Sequence, residues 1–142
     1  QGRDDKGEQV LRRGLALLPH VADLHHALGL LLVRKGDKGD KAAAVSELEQ
    51  AARRAPDNAR YAYVYAVALH STGHSGKALA VLRDADARHP NTPDILGTLV
   101  SFYREAGDTP AALNYARKLA AAMPDDPEVQ RLVAELGGTG TK

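Results

Sequence analysis

The sequence predicts an all-α chain, an α-solenoid of antiparallel helix pairs with about eight helices. Three observations carry that prediction. Alanine and leucine dominate while β-branched runs are scarce, so helices are favoured and strands have little to build from. Pro56, Pro90 and Pro124 stand 34 residues apart, and Pro93 with Pro127, Gly73 with Gly107, and Ala44 with Ala78 and Ala112 keep the same step. A fixed period of this length marks stacked helical repeats. The one break in the period has a visible cause. Pro19 lies 37 residues before Pro56 and Gly36 lies 37 before Gly73, and the stretch "RKGDKGDKAAAV" (Arg34 to Val45) holds Gly-Asp-Lys twice in succession. Removing one triplet restores the period throughout.

Residues 1–21 read as a partial repeat that holds only a second helix, Lys6 to Leu18. Val10, Leu11, Leu15 and Leu18 form an apolar stripe on it. Part of the stripe is expected to pack on the helix that starts near Ala22. The rest should meet a preceding helix that the sequence lacks, which predicts fraying of the first turns or self-association through helix 6–18. Residues 22–58 form the first full repeat, with a first helix from Ala22 to Lys35. Gly36 ends it, because glycine takes the left-handed conformation without a Cβ clash. The doubled triplet lengthens an exposed turn at little cost in closure entropy, and Asp40 caps the second helix.

Residues 59–92 repeat the plan, with a helix from Ala59 to Thr72, Gly73 as its stop, and a second helix after Ser75. Residues 93–126 do so again, with Pro93 to Ala106, Gly107, and a second helix capped by Thr109 and opened by Pro110. Thr92-Pro93 and Asp126-Pro127 use the same device at the starts of first helices. Prolines 56, 90 and 124 keep the second helices from running on. Residues 127–136 form a closing helix whose Glu128, Gln130, Arg131 and Glu135 suit the end of a stack. Residues 137–142, "GGTGTK", read as a flexible tail. The expectation is a single domain over 1–136. The sequence starts at Gln1 and its one methionine is Met123, which reads as a fragment or a form trimmed upstream.

In this register the chain resembles the tetratricopeptide repeat family, whose pattern is W-x2-L-G-x2-Y, then A-x3-F, then P. The first full repeat fills those slots with His25, Leu28-Gly29, Leu32, Ala44, Leu48 and Pro56. The second uses Ala62, Tyr65-Ala66, Leu69, Ala78, Leu82 and Pro90, and the third Leu96, Leu99-Val100, Tyr103, Ala112, Ala116 and Pro124. Gly29 and Ala66 admit a neighbouring backbone where helices cross closely. Val100 departs from that pattern and predicts looser packing there.

The resemblance implies that first helices line a concave groove that binds a peptide or protein segment. The residues it places there are Asp23, His26, Leu30 and Arg34, then Arg60, Tyr63, Val67 and His70, then Asp94, Thr98, Ser101 and Arg104, with Arg131 extending the row. Tyrosine and arginine are favoured anchors in such faces. The row lacks the lysine and asparagine set with which chaperone-tail-binding members of the family clamp a carboxylate, which disfavours that subtype.

Catalytic and cofactor chemistry finds little support in the residues. A phosphate loop needs G-x-x-x-x-G-K-[ST] after a strand, whereas here no Ser or Thr follows Lys41 and a helix precedes the glycines. A calcium loop needs a longer acidic ladder. The six histidines do not converge: His25 and His26 point about 100° apart on a helix, and Gly73 breaks the helix between His70 and His74. His25 is expected between helices and His26 on the groove wall. Tyr61, Tyr63 and Tyr65 alternate as in a strand, but the repeat register makes them helical, with Tyr65 in the inter-helix slot. The absence of cysteine excludes disulfides, thiolate zinc sites and covalent c-type haem, and is compatible with cytoplasm or periplasm. Nineteen basic against eighteen acidic residues give no field that draws nucleic acid, and the longest apolar run, "ALGLLLV", is too short for membrane insertion.

The expected function is therefore a non-enzymatic protein-interaction scaffold without cofactor, metal or catalytic residues. The alternative is an accessory region of a larger bacterial enzyme or redox protein, serving assembly or docking. "LHHALGLLLVRKG" and "ARYAYVYAVALHSTG" are similar to repeat regions attached to bacterial multihaem cytochromes, which would imply a periplasmic origin.

Overall fold

A computed structural model describes residues 2–138, with Lys38 described by its backbone alone. The described residues form eight α-helices and one 3-10 turn, with no strand among them. In chain order the helices are α1 Gly2–Leu17, α2 Ala22–Arg34, α3 Lys41–Arg54, α4 Ala59–Ser71, α5 Ser75–Arg88, α6 Pro93–Glu105, α7 Thr109–Ala122 and α8 Pro127–Leu136, and the 3-10 turn is Gly36–Lys38. The first helix of each repeat ends one residue earlier than the sequence suggests, and α8 matches it. Gly36, Gly73 and Gly107 stop α2, α4 and α6 with φ of 60°, 88° and 79°, in the left-handed region that glycine tolerates.

Caps follow local chemistry more finely than the sequence reading does. The Asp40 carboxylate accepts from the Ala43 amide at 3.0 Å, Asn58 from Tyr61 at 3.0 Å, and Asp126 from Glu128 at 2.9 Å. At α7 the cap is Asp108, which accepts from Ala111 at 3.1 Å, and Thr109 lies inside the helix with Pro110. Asp108 wins because its carboxylate stands directly after the left-handed Gly107, where the helix amides are still free. Ser75 is likewise the first residue of α5 and not its cap. Each such side-chain cap contributes about 1 kcal/mol.

The helix at the start begins at Gly2, ahead of the expected Lys6. Asp4 and Asp5 fall in its first turn, where carboxylates favour the positive helix end. They also tie it down: Arg34 Nη2 meets Asp4 at 2.7 Å, and Lys35 Nζ meets Asp5 at 3.0 Å and Glu8 at 2.8 Å. These pairs link the first turns of α1 to the end of α2. At the other end, Gly137 donates to the Val133 carbonyl at 2.9 Å and Gly138 takes φ of 76°, so they form the turn that closes α8. The remaining tail residues, 139–142, lie outside the described residues.

The helices divide into two compact units, Gln1–Ala78 and Leu79–Lys142. In the first unit, Leu28 and Leu32 of α2 and Ala44 of α3 form a buried cluster, with Leu11 and Leu15 of α1 packed against it. Val10, Leu17 and Leu18 stay 64%, 81% and 48% exposed, so the apolar stripe of α1 splits into an inward and an outward half. A Cβ on Gly29 would lie 2.6 Å from Leu48 Cδ2, so any larger residue there requires Leu48 to move. Tyr65 is buried as expected, and its hydroxyl donates to Glu49 at 3.2 Å.

In the second unit, Leu96, Leu119 and Val129 form the corresponding cluster from α6, α7 and α8. Tyr103 stacks on Tyr115 with centroids 5.7 Å apart, and its hydroxyl accepts from Arg83 at 2.7 Å. Val100 and Ala116 are both fully enclosed, at 2% and 0% exposure.

The doubled triplet assigns its two copies different tasks. The first supplies Gly36, which stops α2, and the 3-10 turn. The second supplies Asp40, which caps α3, and Gly39, whose backbone runs against the end of α2. A Cβ there would stand 2.3 Å from the Leu32 carbonyl oxygen. The insertion is thus packed at Gly39 and exposed at Asp37 and Asp40.

Candidate partner-binding face

The face assigned to partner binding divides between the two units. In the first unit, α2 carries Asp23, His26, Leu30 and Arg34 at helical spacing, and α4 carries Arg60, Tyr63, Val67 and His70. Leu30 and Val67 are 40% and 39% exposed, high for aliphatic side chains in the middle of helices. Arg34 and Arg60 are exposed, and Tyr63 and His70 are half-buried. Arg34 is engaged with Asp4, whereas Arg60 makes no ion pair among the described residues.

His26 takes a different position from the one expected. It is 9% exposed, and its ring stacks on Tyr61 with centroids 4.1 Å apart and planes inclined by 19°. The Tyr61 hydroxyl in turn donates to the Asp23 carboxylate. That bond, with burial second, pushes the Tyr61 hydroxyl up to about 12. Among the described residues the buried His26 Nδ1 has no hydrogen-bond partner. Burial, aided by the nearby Arg60 charge, pulls His26 below its ordinary value of 6.5 and keeps the ring neutral. His26 is therefore a support beneath the wall, and Tyr61 covers it. Sequence reasoning missed this role of Tyr61; the signal was an aromatic beside Arg60 at the start of α4.

His25 is buried between helices, as its slot predicts. Its Nδ1 lies 2.7 Å from Glu47 Oε1 and its Nε2 lies 2.7 Å from the Pro19 carbonyl, so one ring joins α2, α3 and the preceding turn.

In the second unit, α6 carries Asp94, Thr98, Ser101 and Arg104, and α8 carries Arg131. Asp94, Ser101 and Arg104 are exposed. The Thr98 hydroxyl bonds back to the Asp94 carbonyl at 2.7 Å, Arg104 pairs with Glu135 at 3.2 Å, and Arg131 pairs with Glu128 at 3.1 Å. Among the described residues no three His, Asp or Glu side chains gather as metal ligands would, and no helix is long and apolar enough to cross a membrane.

Comparison with known proteins places the repeat in a wider context. The chain is 22% identical over 132 residues to "Interferon-induced protein with tetratricopeptide repeats 3" of Mus musculus, covering 93% of this chain and 33% of that protein. It is 32% identical over 115 residues to "Vi polysaccharide export protein VexE" of Salmonella typhi, covering 80% of this chain and 17% of that one. The chain thus spans a third or less of these curated relatives. Among solved structures, MamA superposes with a TM-score of 0.80 at 18% identity, over 98% of this chain and 80% of the other, a likeness of fold. These matches lend no support to the similarity with cytochrome-attached repeats. The family model described as "Tetratricopeptide repeat" matches residues 37–95 and 73–136, and so this chain belongs to the tetratricopeptide repeat family.

Proposed function

We propose that this chain is a non-enzymatic scaffold that holds a peptide or protein segment against the faces of its first helices. Membership of the repeat family supports the scaffold reading, since such repeats typically recognise proteins and carry no catalytic centre. One observation carries the choice of face. Leu30 and Val67 expose aliphatic surface on α2 and α4 beside Arg34, Arg60 and Tyr63, the mixture of apolar area and polar handle that partner surfaces use. In the second unit, taken by itself, Asp94, Ser101 and Arg104 give α6 an exposed polar set. The native role is expected within a longer protein, because the chain matches only parts of its relatives.

The test is affinity capture from a lysate of the source organism, with the wild-type chain and the Arg60→Ala/Tyr63→Ala double variant as baits. Loss of a partner by the double variant, with helicity intact, supports the reading. Normal capture by the double variant, combined with loss in Arg53→Ala on α3, moves the site to the second helices and defeats it.

A further inference from the structure

The doubled Gly-Asp-Lys turn lies beside a pocket that the first-helix face does not use. A cavity of about 180 Å³ opens where the end of α2, the start of α3 and the end of α4 meet, all within the first unit. Its walls are aliphatic: Leu32, Val33, Ala44, Val45 and Ala68. Val33 is 52% exposed and gives the wall an open edge. A wider cleft adjoins it, sharing Val45, Ser71 and Thr72 and adding Ala42 and His74. For scale, a dry cavity of about 150 Å³ accepts a benzene ring.

The formal charge at the mouth is that of Lys41. Lys41 lines both openings and His74 the outer one, and no Asp or Glu is among the lining residues. Lys41 and Ala42 are the first residues of α3, so their amides have no acceptor within the helix and present its positive end. The Asp40 carboxylate, which caps Ala43 at 3.0 Å, offsets part of that positive end, so the Lys41 ammonium is the charge that faces the mouth. The opposing negative end of α4 is muted, because the Ser71 and Thr72 hydroxyls donate to the Ala68 carbonyl at 3.0 and 2.9 Å. An aliphatic hole with a cationic rim selects an occupant with both properties.

We infer that this pocket is a second docking site, which takes a partner-protein segment that places a leucine-like side chain in the cavity and a flanking carboxylate at Lys41. Gly36 lines the cavity wall and Lys41 its mouth. The site is separate from the Arg60 and Val67 row and does not depend on it.

The test is a heteronuclear NMR titration of the whole chain with three capped peptides at millimolar concentration, differing only in a central Asp-Leu-Asp, Lys-Leu-Lys or Asp-Ser-Asp. Saturable shifts at the Val45, Ser71 and Thr72 amides with the first peptide alone are the expected result. Lys41→Glu should then weaken binding by about fivefold or more, while Lys41→Arg retains it. Lys41 is exposed, so neither change threatens the fold. Equal response to the lysine or serine peptide, absence of saturation, indifference to Lys41→Glu, or shifts centred on Arg60 and Val67 would each overturn the inference.

Discussion

The repeat that begins at Ala22 and the repeat that begins at Pro93 fill the same crossing in opposite ways. In the first, Gly29 on α2 leaves room for Leu48 on α3. In the other, the same two slots hold Val100 on α6 and Ala116 on α7. The large residue has changed helices and the enclosed volume is kept, which is why Val100 does not loosen the second unit: both residues there are buried as fully as Leu48. The family pattern thus constrains the sum of a pair more than either member, as close packing requires.

The sharpest way to break this comparison is to move volume to one side only. Gly29→Val should cost about 1–3 kcal/mol or more by overpacking against Leu48. Leu48→Ala alone should cost about 2–5 kcal/mol by leaving a cavity. The double variant, which imitates the Pro93 repeat, should cost less than the sum by about 0.5–3 kcal/mol in a denaturation cycle. Strict additivity would show that the two slots do not share volume.

The turns differ too. Gly39→Ala should destabilise by about 1–3 kcal/mol, since its Cβ would meet the Leu32 carbonyl. Deleting Gly39 to Lys41 should cost within about 1 kcal/mol. The deletion leaves Gly36-Asp37 to serve as stop and cap, as Gly107-Asp108 does in the other repeat. A thermal melt of each variant decides whether loss of the loop is gentler than one methyl group on it.

The first unit carries a buried histidine, His26, beside its candidate row, which predicts a pH response there. The fold depresses the proton affinity of His26, so the unfolded chain binds the extra proton below 6.5. Stability must then fall as pH drops through and below that value. His26→Phe keeps the stack on Tyr61 and should flatten the slope between neutral and mildly acid pH. Glu8 acts in a lower window. Lys35 and Arg12 hold it below 4.5, so its contribution is present above that value and lost as pH falls further. An unchanged slope in His26→Phe would place the proton uptake elsewhere.

The smallest effect concerns the outer half of α1. Exposed Val10, Leu17 and Leu18 should drive weak self-association, and Leu17→Glu should reduce it. Leu11 and Leu15 face inward and are unsuitable probes. Sedimentation over a concentration series checks this, and a strict monomer would refute it.

The helices were legible because proline and glycine punctuate them. Pro93, Pro127, Gly73 and Gly107 fix chain direction through backbone geometry alone, and period carries that information. The cover of Tyr61 over His26, the close approach of Gly39 and the cap at Asp108 were not legible. Each depends on which neighbour a side chain or carbonyl meets in three dimensions, and a 34-residue period does not encode that. The burial of His26 required coordinates.

The most direct test of the scaffold account is hydrogen exchange of the chain with and without its captured partner. The account predicts slowed exchange concentrated on the amides of α2, α4 and α6 around Leu30, Val67 and Ser101. Protection confined to α3, α5 and α7 would contradict it.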